Sequence, residues 1–277
     1  MGLWLVVLLA VVQGVAEFLP ISSSGHLRIF QEVLGLEDPQ TLFDVMLHVG
    51  TLVAVVWVYR ERVAAVLAGA WRAVARRNGR TLPEFWAADA DFRLFALVGL
   101  ATLPTGVIAL LVGPLLEGWA GSLAFVGAAL LVNACLLFVL DRLLRSGKAT
   151  RGLETLTWKD ALLIGLAQGI AVTRGISRSG STITAAVALG IKQDAAAAFS
   201  FLLSIPAILG ALVLTLKDFD GELDLLLPGV FGAVIAAVVG IAALKLLLRI
   251  LDKGRLGLFA GYCALVGLGA LIWHFTS

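Results

Sequence analysis

Six stretches of this chain, about 41–59, 92–113, 120–140, 195–216, 226–249 and 256–275, are apolar over roughly the 20 residues a helix needs to cross the hydrocarbon core of a bilayer. Two further apolar segments, 2–12 and 161–172, reach only about half that length, and each runs into a segment rich in Gly and Ser. With 60% hydrophobic and 14% charged residues, the chain reads as a polytopic, all-α membrane protein and not as a soluble globular domain. Cys135 and Cys263 lie in separate apolar stretches without metal-ligand spacing and read as small core residues. No Lys or Arg precedes Arg28, and Gln13 and Glu17 interrupt the first apolar run, so that run reads as retained and not as a secretory signal.

The two short segments resemble each other. At a constant offset of 155, "QGVAEFLPISSSG" (13–25) lies over "QGIAVTRGISRSG" (168–180), with identities at Gln13/Gln168, Gly14/Gly169, Ala16/Ala171, Ile21/Ile176, Ser22/Ser177, Ser24/Ser179 and Gly25/Gly180. The likeness extends to "LG" at 34–35 and 189–190, and with one inserted residue Phe43 falls on Phe199. An ungapped match of this kind points to duplication. The first repeat, 1–145, holds a broken pair of half-helices at about 2–36 and then three spanning helices; the second, 155–277, holds a broken pair at about 158–191 and then three more. Both repeats form a single membrane domain.

If each broken pair is a re-entrant hairpin, three crossings per repeat invert the second copy relative to the first. Charge supports this. Arg60, Arg62, Arg72, Arg76, Arg77, Arg80, Arg93, Arg142, Arg145, Lys148, Arg151, Lys159, Lys192, Lys245, Arg249, Lys253 and Arg255 then fall on one side. Lys217 falls on the other, with Glu37, Asp38, Glu117, Asp218, Asp220, Glu222 and Asp224. By the positive-inside rule the basic side is cytoplasmic and both termini face outward. The basic loop at about 60–91, with Trp71 and Trp86, has two readings, a topology determinant or an amphipathic segment lying on anionic lipid. Pro104 and Pro206 sit inside spanning stretches, as membrane helices tolerate when neighbours re-satisfy the freed carbonyls.

Irregular backbone at membrane depth survives only when buried in protein or lining a wet cavity, so both breaks should face such a place. A half-helix that starts in a Ser/Gly turn presents free N–H groups and a positive dipole end, which suits an anion. Ser22, Ser23 and Ser24 can cap the second half-helix or donate to a ligand, and Gly25 lets a ligand approach the backbone. Gln13 and Glu17, four apart, share a helical face. In the second break Arg178 brings a planar fork of donors suited to phosphate, flanked by Ser177, Ser179, Ser181 and Thr182. Ionisable groups at this depth are costly enough to read as functional. His26 lies one turn from the serines. His48, four after Asp44, reads equally as a satisfied structural pair, and His274 at the C-terminal end reads as structural.

These stretches resemble a known family. "QGVAEFLPISSSGH" is similar to the glutamate-containing first signature of the bacterial undecaprenyl-pyrophosphate phosphatases of the bacitracin-resistance type, and "GISRSGST" to their second. "FDVMLHVGTLVAVV" and "AAAAFSFLLSIPAILGA" resemble the flanking helices, so the likeness spans essentially the whole chain. The resemblance implies an enzyme of the bacterial plasma membrane, multi-pass, with its site open to the outer face. It would remove the terminal phosphate of undecaprenyl pyrophosphate, recycle the carrier lipid for cell-wall synthesis and confer bacitracin resistance.

By motif position, Glu17, with Gln13, would form the acidic and metal-associated part of the site, with Mg²⁺ or Ca²⁺ as the divalent cation. Ser23 and His26 would be nucleophile and acid/base partner, in either order, and Arg178 the clamp on the pyrophosphate. Ser22, Ser24, Gly25, Gly175, Ser177, Ser179, Gly180 and Thr182 would bind phosphate oxygens. Partners would be the lipid substrate and membrane lipid, with no nucleic acid, and a homodimer is left open. Two departures stand out: Gln13 replaces a glutamate many members have, and Arg174 replaces the proline before Gly175. Arg174 either adds a second cation to the phosphate site or points to the membrane surface. The rival reading is a polyprenyl-phosphate flippase using the same anion site, since broken helices in inverted repeats are a common transporter plan.

The charge distribution predicts that a cysteine placed at Lys148 is labelled by an impermeant thiol reagent only from the cytoplasmic side; labelling of intact cells from outside would overturn that orientation.

Overall fold

The computed structural model of the chain describes residues 2–36, 41–75, 81–217 and 226–276. Among these, twelve α-helices follow one another: α1 (Leu3–Ala16), α2 (Ser23–Val33), α3 (Thr41–Val58), α4 (Arg60–Ala75), α5 (Leu82–Ala88), α6 (Ala90–Ala120), α7 (Leu123–Ser146), α8 (Trp158–Ile170), α9 (Arg178–Ala188), α10 (Gln193–Lys217), α11 (Leu226–Asp252) and α12 (Gly257–Thr276). Five of them, α6, α7, α10, α11 and α12, are long and apolar enough to cross a membrane, and α3 makes a sixth when taken together with α4, from which it turns by 86°. The protein is an all-helical, polytopic integral membrane protein.

The expected spans and both expected breaks fall on these elements, with two differences in extent. α6 continues through Pro114 to Ala120, and α7 continues past the apolar run through Asp141, Arg142 and Arg145 until Gly147, in the left-handed region at φ 63°, ends it. Charged residues end a hydropathy window, but they do not end a helix. The basic segment expected as a loop at 60–91 contains α4 and α5; Arg76, Arg77 and Arg80 lie outside the described residues. α4 buries Val66, Gly69 and Ala73, and Arg72 holds it to α6. The guanidinium of Arg72 donates to both oxygens of Asp89 at 2.7 and 2.9 Å and to Asp91 at 3.1 Å, while Asp89 caps the first turn of α6.

Inside and outside follow the logic of lipid. Leu103, Leu110, Leu111 and Leu115 of α6 are exposed, whereas Gln13, Glu17, Asn133, Gln168 and Ser177 are buried. Phe18, Phe43, Phe199 and Phe201 are fully buried, and the rings of Phe18 and Phe201 meet at 5.7 Å. One expectation is corrected here: Cys263 is buried, but Cys135 is exposed on α7, between the buried positions Ala134 and Leu137 and outside the core.

α11 packs on both α3 and α1, α6 packs on α8, and α7 packs on α12. The basic ends of several helices gather at one end of the bundle. Arg93 donates to the Glu154 carbonyl at 3.0 Å, Arg151 donates to Asp160 at 2.6 Å and to the Leu189 carbonyl at 3.0 Å, and Asp141 accepts from the Leu256 and Gly257 N–H groups at 2.9 Å each. Of the acidic residues expected at the opposite end, Glu37, Asp38, Asp218, Asp220, Glu222 and Asp224 lie outside the described residues.

The α3–α11 contact is backbone against backbone: a Cβ added at Gly50 would come within 2.7 Å of the Ala233 Cα, whereas one added at Gly99 would meet nothing within 4 Å. Gly50→Ala is therefore expected to destabilise the detergent-solubilised protein by about 1–3 kcal/mol, the cost of overpacking, while Gly99→Ala leaves it unchanged; equal thermal unfolding of the two variants would contradict this packing.

Candidate functional site

The two breaks are built alike. Ser22 and Ser177, aligned in the repeat, each occupy the N-cap of the following half-helix and accept a hydrogen bond from the N–H three residues on, that of Gly25 at 3.3 Å and that of Gly180 at 3.1 Å. The breaks also touch: a Cβ on Gly25 would lie 3.0 Å from the Gly175 Cα. Gly175 turns at φ 101°, which glycine permits without strain, so the turn needs no proline at 174. Ser22 is the sole non-glycine residue with positive φ among those described, at 73°, a conformation that costs of order 1–3 kcal/mol and tends to persist at functional turns.

Asn133 of α7, fully buried, joins the two breaks. Its Nδ2 donates to the Pro20 carbonyl at 2.9 Å, and its Oδ1 accepts from the Ser177 N–H at 3.0 Å. One side chain thus satisfies a freed acceptor of the first break and a freed donor of the second.

The charges meet at Glu17. Its Oε2 accepts from the Ser23 hydroxyl at 2.6 Å and from Gln13 Nε2 at 3.0 Å, and its Oε1 accepts from Arg178 Nη2. His48 Nε2 stands 3.5 Å from Oε2. The other ring nitrogen of His48 lies 2.8 Å from the Asp44 carbonyl, which can only accept, so Nδ1 carries a proton and Nε2 is the atom turned to the carboxylate. Arg178 Nη1 and Gln13 Oε1 are buried without a hydrogen-bond partner among the described residues. A cavity of about 280 Å³ opens over this centre. Its polar wall is Glu17, Ser23, Ser24, His48, Ser177 and Arg178, with Thr105 and Gln168 alongside, and Ala207, Ile208 and Ala211 of α10 form an apolar side. An arginine with a spare donor, a hydroxyl held on a carboxylate and an apolar flank suit a phosphate ester carried on hydrocarbon.

Several expected site residues are placed elsewhere. His26 does not reach the cavity: its Nδ1 donates to the Ser22 carbonyl at 2.8 Å and its Nε2 meets the Tyr262 hydroxyl at 2.8 Å, with the two rings stacked at 5.5 Å. The ring braces the turn at Ser22 and has no nitrogen left for Ser23. Thr182 points to α10, its hydroxyl 2.5 Å from that of Ser200, because a residue one helical turn into α9 faces the bundle and not the break. Ser22 and Ser179 are buried in the turns, Ser179 within 3.2 Å of the Ser177 hydroxyl and 3.4 Å of the Phe18 carbonyl. Gly25 and Gly180 serve the caps. Arg174 is absent from the cavity wall, and Asp44, one turn before His48 on α3, accepts from Gln31 at 3.1 Å.

Among the described residues no group of three or more His, Cys, Asp or Glu side chains is arranged to hold a metal ion. The oxygens at hand are the Glu17 carboxylate and the unpartnered Oε1 of Gln13. That set fits a hard divalent cation only in the manner of Mg²⁺, which takes one or two protein carboxylates and completes its shell with water and substrate phosphate.

Sequence reasoning left His48 undecided and missed Asn133, Tyr262, Thr105 and the role of Gln168. The available signals were the spacing of Asp44 and His48 along one face of α3, the identity of Gln168 with Gln13 in the repeat, and a lone Asn inside an apolar span, where a polar side chain must find a partner.

Comparison with known proteins places the chain among characterised sequences. The family described as bacitracin resistance protein BacA matches residues 6–269. Similar proteins include the undecaprenyl-diphosphatase of Desulfatibacillum aliphaticivorans, 43% identical over 99% of both chains. The undecaprenyl-diphosphatases of Desulforapulum autotrophicum, 39% identical over 100% of both chains, and Halothermothrix orenii, 39% identical over 98% of both, are also similar.

Replacing Asn133 by Leu orphans two buried backbone groups at about 1–3 kcal/mol each. Thermal unfolding in detergent is expected to show a loss of roughly 2–6 kcal/mol; wild-type stability of Asn133→Leu would show that the bridge carries no load.

Proposed function

The chain belongs to the bacitracin resistance protein BacA family, and on that premise we propose that it is an undecaprenyl-diphosphatase, an integral membrane hydrolase that converts undecaprenyl pyrophosphate to undecaprenyl phosphate and phosphate and so returns the carrier lipid to cell-wall synthesis. One observation carries the reading: the Ser23 hydroxyl is hydrogen-bonded to a buried carboxylate shared with Arg178, whose second terminal nitrogen has no hydrogen-bond partner among the described residues.

The pyrophosphate enters the cavity while the prenyl tail stays in lipid. Arg178 Nη1 binds a phosphate oxygen, and the incoming charge competes with Glu17 for the guanidinium, which restores basicity to the carboxylate. Ser23 Oγ attacks the terminal phosphorus and passes its proton to Glu17 Oε2; the new P–Oγ bond forms as the bridging P–O bond breaks, and undecaprenyl phosphate leaves with that proton, which returns Glu17 to its carboxylate form. Gln13 Nε2 keeps Oε2 aimed at Ser23, and His48 Nε2 stands beside the same oxygen as a second proton carrier. The amides at the start of α9 and the hydroxyls of Ser24 and Ser177 stabilise charge on the transferring group, so most of the catalysis is positioning and electrostatics. Glu17 and Gln13 Oε1 would hold a divalent cation, which would neutralise charge on the pyrophosphate. Water then hydrolyses the phosphoserine. The engagement of both His26 nitrogens favours Ser23 over His26 as nucleophile.

The repeat is read as inverted, with six spanning helices and two re-entrant hairpins in one domain. This is supported by the matching caps at Ser22 and Ser177 and by the exchange of partners in which α1 packs on α11 while its counterpart α8 packs on α6. The basic end of the bundle then faces the cytoplasm, and the cavity faces the outer leaflet of the bacterial plasma membrane. A flippase for the same lipid would need the anion site but not a hydroxyl held on a carboxylate.

Purified protein is expected to release phosphate from a prenyl pyrophosphate in detergent. Ser23→Ala, Glu17→Ala and Arg178→Ala should each slow release by at least about 100-fold, the scale of losing a nucleophile, base or electrostatic clamp. Near wild-type turnover of folded Arg178→Ala would sink the assignment.

A further inference from the structure

Gln168 lies in α8 just before the second break, at the position Gln13 holds before the first, and is 2% exposed. Its Nε2 donates to Thr105 Oγ1 at 3.2 Å, and the Thr105 hydroxyl donates in turn to the Gly165 carbonyl at 2.9 Å. This relay fixes the direction of the amide. A hydroxyl whose proton is engaged by a carbonyl can only accept at its remaining positions, so the NH₂ group must face it and the amide oxygen must face away. That oxygen, Gln168 Oε1, is buried and has no hydrogen-bond partner among the described residues. An unpaired buried acceptor is costly and calls for a donor at some stage of the protein's work.

Gln168 and Thr105 line the same cavity as Glu17, Ser23 and Arg178. The donor that completes Gln168 is not the phosphate, since ionised phosphate oxygens are themselves acceptors and would repel an amide oxygen. The donor that the reaction itself requires in this cavity is water. Resting on the phosphoserine reading above, we propose that Gln168 is a positioning residue for the second half of the reaction: its Oε1 accepts a hydrogen bond from the water that hydrolyses phosphorylated Ser23. In that step the water oxygen forms a bond to phosphorus and the P–Oγ bond breaks. One water proton returns to Ser23 Oγ by way of Glu17, and the other leaves on the phosphate. The two glutamines thereby divide the work. Gln13 uses its amide N–H to orient the base, and Gln168 uses its carbonyl to orient the second nucleophile.

The test separates the two half-reactions. Gln168→Met keeps the length of the side chain and removes the strong acceptor; Thr105→Val leaves the glutamine in place and removes its anchor. Rapid-quench measurements on the purified protein with a prenyl pyrophosphate follow the prenyl monophosphate and inorganic phosphate separately. For Gln168→Met, the expected result is an undiminished first-turnover burst of monophosphate and phosphate release slowed by about 10- to 100-fold, the scale of misplacing a reactant, with phosphate trapped on Ser23 and located by peptide mapping. Thr105→Val should show the same partition in weaker form. Equal slowing of both products with no trapped phosphoserine, or unchanged phosphate release in both variants, would overturn the role of Gln168 and leave Ser23 as nucleophile standing. A changed divalent-cation requirement without trapped phosphoserine would assign the oxygen to the cation and overturn the proposal as well. Turnover by Ser23→Ala would instead overturn the reading on which the proposal rests.

Discussion

A peptide group without a hydrogen-bond partner costs several kcal/mol in hydrocarbon, and this chain opens two turns of such groups among its membrane helices. The rest of the site is arranged around that cost. Ser22 and Ser177 satisfy N–H groups at the starts of α2 and α9, Asn133 satisfies one group from each break, and His26 closes on the Ser22 carbonyl. The close approach of Gly25 and Gly175 brings the two turns together, so that a single set of neighbours shelters both. Once the turns are sheltered, their serines and the residues before them can carry polar chemistry in the interior.

The ion pair of Glu17 and Arg178 belongs to that interior. A buried ion pair contributes little to stability, because desolvation offsets the attraction, whereas removing one partner is costly. Here each partner keeps a group beside the cavity: Glu17 holds the Ser23 hydroxyl, and Arg178 Nη1 has no hydrogen-bond partner among the described residues. The pair is better understood as stored binding capacity for an anion than as a brace for the fold. His48, anchored through Nδ1 to its own helix, turns Nε2 to the same carboxylate oxygen that holds Ser23.

Hydropathy located the long apolar helices and the two short ones, because the length of an apolar run is a direct consequence of bilayer thickness. The self-similarity of 13–25 and 168–180 then picked out the two turns, and the structure gives Ser22 and Ser177 the same cap in each. Distance along the chain could not say which way a side chain faces once helices rotate against one another. His26 and Thr182 both sit beside motif serines, yet one is taken by Tyr262 of α12 and the other by Ser200 of α10. Asn133 had no polar neighbour in sequence to mark it, since its partners Pro20 and Ser177 are remote in the chain, and Thr105 meets Gln168 only through the packing of α6 on α8. Helix ends were misjudged for a simpler reason, that charge at a bilayer boundary stops an apolar window but suits the last turn of a helix.

The packing of α1 on α11 has a consequence for how the protein is made. α1 leaves the ribosome long before α11, so it enters the bilayer without the surface that will cover it. Arg178, the counter-charge of Glu17, also follows 161 residues later. Until then a carboxylate, three serines and an irregular turn must wait in a membrane that does not tolerate them, held by water, by the insertion machinery or at the lipid headgroups. Biogenesis of this fold is therefore post-insertional by necessity: the helices can be threaded in order, but the interior closes only when the C-terminal quarter arrives.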